Sequence, residues 1–164
     1  MEIREFTDAD WAQIWPFFDE IVAEEETYAY PRGLTSERAR DLWVESPPGV
    51  TVVALEDGQV LGTAKTGPNR PGPGAHVATA SFMVSPAARG RGVGRALGEH
   101  VLALAAFRGY RAMQFNAVVE TNTAAVALWR SLGMSIVGTV PEAFDHPEHG
   151  LVGLHVMHRF LVED

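Results

Sequence analysis

Apolar residues near the N-terminus recur at spacings of three and four, so that Trp11, Ile14, Phe18 and Ile21 or Val22 share one face of a helix. The expected helix starts from a cap at Thr7 or Asp8, runs to about Glu25 and holds Pro16, a residue that kinks or divides a helix. Glu2 to Phe6 reads as a strand before it, and a second helix, capped near Thr35 or Ser36, reaches Glu45. Val50 to Leu55 and Val60 to Thr66 then read as strands joined by Asp57-Gly58, a two-residue hairpin signal. Residues 67–74, GPNRPGPG, are too rich in Pro and Gly for regular structure and predict a loop before a strand at about His76 to Val84. Val93, Leu97, Val101 and Leu104 stripe a helix ending at Gly109; Met113 to Val119 reads as a strand; Thr121 or Asn122 caps a helix that Gly133 ends. Ser135 to Val140 and Leu151 to Phe160 read as strands flanking the polar loop FDHPEHG, and Arg159 to Asp164 as a solvated tail. The order βααβββαβαββ contains no repeat and no interdomain linker, which predicts one α/β (α+β) domain over residues 1–164.

The segment from Val84 to Leu97 joins a strand end to a helix start through Arg89-Gly90-Arg91-Gly92-Val93-Gly94-Arg95. Glycine at 90, 92 and 94 leaves backbone N–H groups unshielded beside a helix N-terminus and three arginines, a combination that suits a phosphate better than a flexible basic loop. The spacing excludes two common phosphate binders. A dinucleotide fingerprint needs glycine where Arg95 stands, and no P-loop lysine with Ser or Thr follows.

The stretch resembles the coenzyme A pyrophosphate loop of the GCN5-related N-acetyltransferase (GNAT) superfamily, with Arg89, Gly92 and Gly94 at the motif positions and Val-Ser-Pro before them. Residues 116–134 resemble that family's second signature: Asn122, Ala125, Leu128, Gly133 and Met134 match, while Trp129 stands where tyrosine is usual. The resemblance runs from about Thr51 to the C-terminus and implies a mixed central β-sheet of about seven strands flanked by about four helices. It implies acetyl-CoA as cosubstrate, held by Phe82, Met83 and Val84, by Arg89, Gly90, Arg91, Gly92, Val93, Gly94 and Arg95, and by Asn122 and Trp129.

Composition adds bounds. With 164 residues and 46% hydrophobic content, the chain suffices for one sizeable core. No cysteine is present, which excludes disulfides and any protein thiolate nucleophile or metal ligand. The charged N-terminus lacks the apolar run of a signal peptide, and no stretch approaches the ~20 apolar residues of a membrane span, so a cytoplasmic enzyme without a membrane partner is expected. The net charge of −8 is unevenly spread: residues 1–60 hold fourteen acids against four Lys/Arg, and residues 61–164 hold seven against nine. That asymmetry fits an anionic cofactor on one part and a cationic amine on the other, or an acidic surface serving solubility; the acidic total argues against nucleic acid.

Acyl transfer to an amine needs a base, an oxyanion donor and a proton for the leaving thiolate. The resemblance places the oxyanion donor among the backbone amides of Phe82 to Val84. It gives the thiolate proton to the tyrosine replaced here by Trp129, whose indole N–H is a poor acid. The family's two usual positions for a basic glutamate are filled by Thr79 and Ala117, leaving Glu120 and His76 as candidate bases, each with a surface role as the alternative. Glu26-Thr27-Tyr28-Ala29-Tyr30-Pro31 is similar to the acceptor-site segment of phosphinothricin and L-amino acid N-acetyltransferases, which puts Thr27, Tyr28, Tyr30 and Thr79 at the acceptor site. His146 and His149, with Asp145 and Glu148, have the composition of a metal loop but read better as a polar surface turn, so no metal is expected. A small-molecule primary amine and a possible homodimer are expected. A protein N-terminus or lysine as acceptor, a silent acyl-CoA-binding regulator and a structural partner domain are the alternatives.

Overall fold

Alternation along the strands sorts the core into two layers. In the computed structural model, which describes residues 1–162, Val52 and Ala54 are buried with one helix pair, and Val53 and Leu55 with the other. Glu163 and Asp164 of the expected tail lie outside the described residues. The strands β1 (Glu2–Glu5), β2 (Val50–Glu56), β3 (Gln59–Pro68), β4 (Val77–Val84), β5 (Ala112–Val119), β6 (Ser135–His146) and β7 (Gly150–Phe160) form one sheet in the order β1-β2-β3-β4-β5-β7-β6. All neighbours are antiparallel except β4 and β5. Helices α1 (Trp11–Glu24) and α2 (Ser36–Trp43) pack on one face; α3 (Val93–Phe107) and α4 (Thr123–Ser131) pack on the other. The expected mixed sheet of seven strands with four helices is therefore present.

Local chemistry explains the boundaries. Thr7 and Asp10 form a capping box before α1, and Thr35 Oγ1 accepts from Arg38 N–H at 3.2 Å to cap α2. Asp57 and Gly58 both take positive φ, 51° and 76°, as the tight β2–β3 turn requires. Trp43, fully buried between α2 and the sheet, donates its indole N–H to Thr63 Oγ1 at 3.1 Å, so its polar atom is satisfied in the core.

Three sequence expectations need correction. Helix α1 runs undivided through Pro16. Gly67 and Pro68 continue β3, paired with Thr79 and Ala78, because Pro68 lies beyond the start of β2 and its missing N–H costs no ladder bond. The segment after Val140 is strand as far as His146: Glu142, at φ 51°, sits in an irregularity, and pairing resumes where Phe144 packs against Val119 and Val152. His146 Nδ1 accepts from the N–H groups of Glu148 and His149 at 3.1 and 3.3 Å, so this histidine caps the β6–β7 turn.

Parallel β4 and β5 separate almost as soon as they meet. Only Val77↔Ala112 and Ala78↔Met113 are paired, after which β5 turns away toward β7. Ser85 N–H donates to Leu61 and Asn69 N–H to Val77, so the odd positions of β4 bond β3. The N–H and C=O groups of Ala80, Phe82 and Val84 therefore face the opening left by β5.

Candidate active site

That opening forms part of a cavity of about 890 Å³. Its first end is backbone. Gly90 and Gly92 adopt φ of 77° and 76°, a conformation side chains disfavour, and Gly92 caps α3. The first intrahelical bond, from Ala96 N–H to Gly92 C=O, leaves the amides of Val93, Gly94 and Arg95 pointing out of the helix N-terminus. A Cβ on Gly90 or Gly92 would meet nothing within 4 Å, so the loop is open on its outer side. Arg89, Gly90, Gly92, Val93, Gly94 and Arg95 all line the cavity. Arg91 does not; its guanidinium pairs with Glu56 instead. Arg89 lies 3.6 Å from Glu24, and Arg95 bonds Ser131 Oγ at 2.7 Å. Two of the three loop arginines thus meet acids of the N-terminal part, which brings the uneven charges of the sequence together rather than apart.

The middle of the cavity is apolar. Phe82, Met83 and Val84 line it from β4, Asn122 from the N-cap and Trp129 from the last turn of α4. Asn122 Oδ1 caps α4 by accepting from Ala125 N–H at 3.3 Å. Trp129 is only 7% exposed, with its ring 4.6 Å from Phe82 and 5.0 Å from Phe115. Gly98 makes room for it: a Cβ there would stand 2.9 Å from the indole. Sequence spacing locates Trp129 but not this packing, which makes it a wall rather than a proton donor.

The far end gathers Glu26, Thr27 and Tyr28 from the segment between α1 and α2, Thr79 and Ser81 from β4, and Asn116 from β5. Asn116 is oriented by Asn69, to which its Nδ2 donates at 2.7 Å, and by Gln114 Nε2, from which it accepts at 3.0 Å. Glu26 has no ion-pair partner among the described residues. Tyr30 stands behind Tyr28, stacked on it at 5.8 Å, and does not line the cavity. Burial pushes both phenols above their ordinary pKa, with Glu45 adding to the effect on Tyr30.

The two candidate bases are not brought here. Glu120 is exposed beyond the end of β5, where its Oε1 accepts from Gly153 N–H at 2.6 Å, and it does not line the cavity. His76 is exposed just before β4, six residues from Phe82 and so about 20 Å away along the strand. Sequence reasoning passed over Glu24, Ser81, Phe115, Asn116, Phe144 and Leu154, which the cavity includes. Phe144 lay in the segment read as loop; the others carry no motif, although Asn116 and Phe115 alternate sides on a strand already foreseen.

A strand edge freed beside a helix N-terminus with left-handed glycines defines a protein built to hold an extended, phosphorylated arm. Comparison with known proteins agrees. The model of the acetyltransferase (GNAT) family matches residues 15–134, and the chain belongs to that family and is an acetyl-CoA-dependent acetyltransferase by class. A GCN5-related N-acetyltransferase from Kribbella flavida is 62% identical, with 97% of this chain and 96% of that one covered at a TM-score of 0.94. The yncA protein of Salmonella typhimurium, whose structure holds its cofactor acetyl-CoA, is 26% identical over 100% of this chain and 95% of its own, at 0.84. N-acetyltransferase aca1 of Schizosaccharomyces pombe is 34% identical over 84 residues, 51% of this chain; the match spans 40% of that relative's length.

Proposed function

We propose that the chain transfers the acetyl group of acetyl-CoA to the primary amine of a small molecule, such as an amino acid or amino-acid-like compound, by direct attack in a ternary complex. One observation carries the reading: a single cavity joins the open amides of α3 to the polar pocket around Glu26, and passes the freed edge of β4 on the way. The pyrophosphate would sit on the amides of Gly90 to Arg95, and the pantetheine arm would add to β4 at Phe82 and Val84 like a strand. Asn122 and Trp129 flank that arm.

The acceptor arrives as an ammonium, because an amine of pKa near ~10 is protonated at neutral pH. Glu26 is the carboxylate that attracts it and takes the first proton, directly or through a water, since Glu120 and His76 lie elsewhere. The free amine attacks the thioester carbon, the C–S bond breaks, the nitrogen loses its second proton and the thiolate leaves as the thiol. One proton is released overall.

A panel of amino acids, their analogues, simple amines and peptides with free N-termini tests this by coenzyme A release and mass spectrometry of the product. We expect turnover on a small amine, and Glu26→Gln should lower kcat on it at neutral pH by ~100-fold or more and raise its KM, while leaving acetyl-CoA affinity unchanged. Turnover confined to peptides would replace the acceptor class; binding of acetyl-CoA with no release on any amine would leave a regulator.

A further inference from the structure

The hydroxyl of Tyr28 sits on the backbone of Phe82. It accepts from Phe82 N–H at 3.0 Å and donates to Phe82 C=O. These are the groups that face the opening between β4 and β5, so the phenol holds the backbone seat that β5 has left. The side chain is well fixed there. Its ring stacks on Tyr30 at 5.8 Å with an interplanar angle of 7° and meets Trp43 edge-on at 6.2 Å.

We propose that Tyr28 is a catalytic residue of the transfer, the second donor of the oxyanion site. The inference deepens the reading above and rests on it for the position of acetyl-CoA. A phenol oxygen accepting from Phe82 N–H marks where an acyl oxygen can accept from the same group. When acetyl-CoA adds to β4, its carbonyl oxygen takes that seat, and the Tyr28 O–H turns from the Phe82 carbonyl to the acyl oxygen. As the amine attacks, that oxygen becomes an anion and receives two hydrogen bonds, one from Phe82 N–H and one from Tyr28 O–H. No proton is transferred from the phenol; when the C–S bond breaks, the carbonyl re-forms and both donors relax.

Two further observations favour Tyr28 over its neighbours. Burial keeps its phenol neutral, so the donor proton is always present. Trp129 is packed between Phe82 and Phe115 as part of the wall, which leaves Tyr28 as the phenol lining the reaction centre among the described residues.

The test is Tyr28→Phe, which keeps the ring in its aromatic stack and removes only the hydroxyl. Coenzyme A release from acetyl-CoA is followed with the best amine of the panel and, separately, with water as nucleophile; binding of acetyl-CoA is measured by calorimetry. Loss of one oxyanion donor typically costs ~100- to 1,000-fold in kcat. We expect at least the smaller loss with both nucleophiles, while acetyl-CoA affinity stays the same or tightens because the phenol no longer competes for Phe82. A hydroxyl that merely plugs the empty seat gives tighter binding with kcat within about threefold of wild type, and that result overturns the proposal. The water reaction separates the two readings: if no amine is accepted, the acceptor assignment fails, while the effect of Tyr28 on thioester cleavage is still read. A melting curve of Tyr28→Phe matching wild type excludes loss of fold as the cause.

Discussion

The two ends of the cavity are built in opposite ways. On the proposed reading, the donor end is one contiguous stretch, residues 84–95, that presents backbone amides and left-handed glycines to the cavity. The acceptor end is assembled from the α1–α2 segment, β4 and β5, and its working groups are side chains brought together by the sheet. A backbone site is written into local sequence because only glycine takes φ near +76° without strain. A side-chain site made across strands is written in no single segment, so its members appear only when the chain is folded.

The sharpest way to break the comparison is at the donor end. Gly92→Val puts a β-branched residue at φ 76° and in the N-cap of α3. We expect acetyl-CoA affinity to fall ~100-fold or more by calorimetry, since the strain either distorts the loop or redirects the α3 amides. Amine binding should be little changed. Unaltered acetyl-CoA affinity in a folded Gly92→Val protein would mean that the donor end does not depend on backbone geometry.

The same contrast explains what was legible. The hairpin at Asp57-Gly58, the α1 face of Trp11, Ile14 and Phe18, and the glycine turn at Gly90 and Gly92 all follow from local rules, and each is in place as backbone structure. Arg91 departs from the expected loop position because sequence cannot say which way a loop arginine points; Glu56, 35 residues earlier, draws it off the cavity. β6 runs past the expected end at Val140 because Phe144 packs against Val119 and Val152, a tertiary reason that sequence does not show. Glu120 and His76 are the candidates that elimination along the chain leaves, but neither lines the cavity; Glu26, from the segment between α1 and α2, does, and only the fold brings it beside β4.

A smaller effect is expected on stability, at the N-terminal end of α1, the end away from the acceptor segment. The turn that starts α1 is held by Arg4, which bonds both oxygens of Asp10 at 2.8 and 2.9 Å. That guanidinium, with help from Thr7, lowers the Asp10 pKa from 3.8 to about 2, against the opposing effect of burial. A carboxylate depressed in the fold stabilises it fully above its unfolded value, and the contribution drains away as pH falls from about 5 toward 2. Asp10→Asn should cost about 2 kcal/mol at neutral pH and flatten that acid limb, read by urea unfolding at several pH values. A wild-type limb in Asp10→Asn would show that another carboxylate sets it.

The smallest expected effect is at Glu120. Its backbone N–H donates to Gly153 C=O at 3.0 Å and its carboxylate accepts Gly153 N–H at 2.6 Å, so the residue closes the β5–β7 ladder where β5 ends. Glu120→Gln keeps an oxygen acceptor in that place and exchanges a charge-assisted bond for a neutral one, a change worth about 1 kcal/mol or less. Turnover at neutral pH should stay within about twofold of wild type, because the side chain does not reach the cavity. Loss of a general base would instead cost ~100- to 10,000-fold and flatten the acidic limb of the rate profile. Should Glu120→Gln show that loss while acetyl-CoA still binds, the carboxylate must swing into the cavity during turnover, and the acceptor end would extend past β5 to the start of α4.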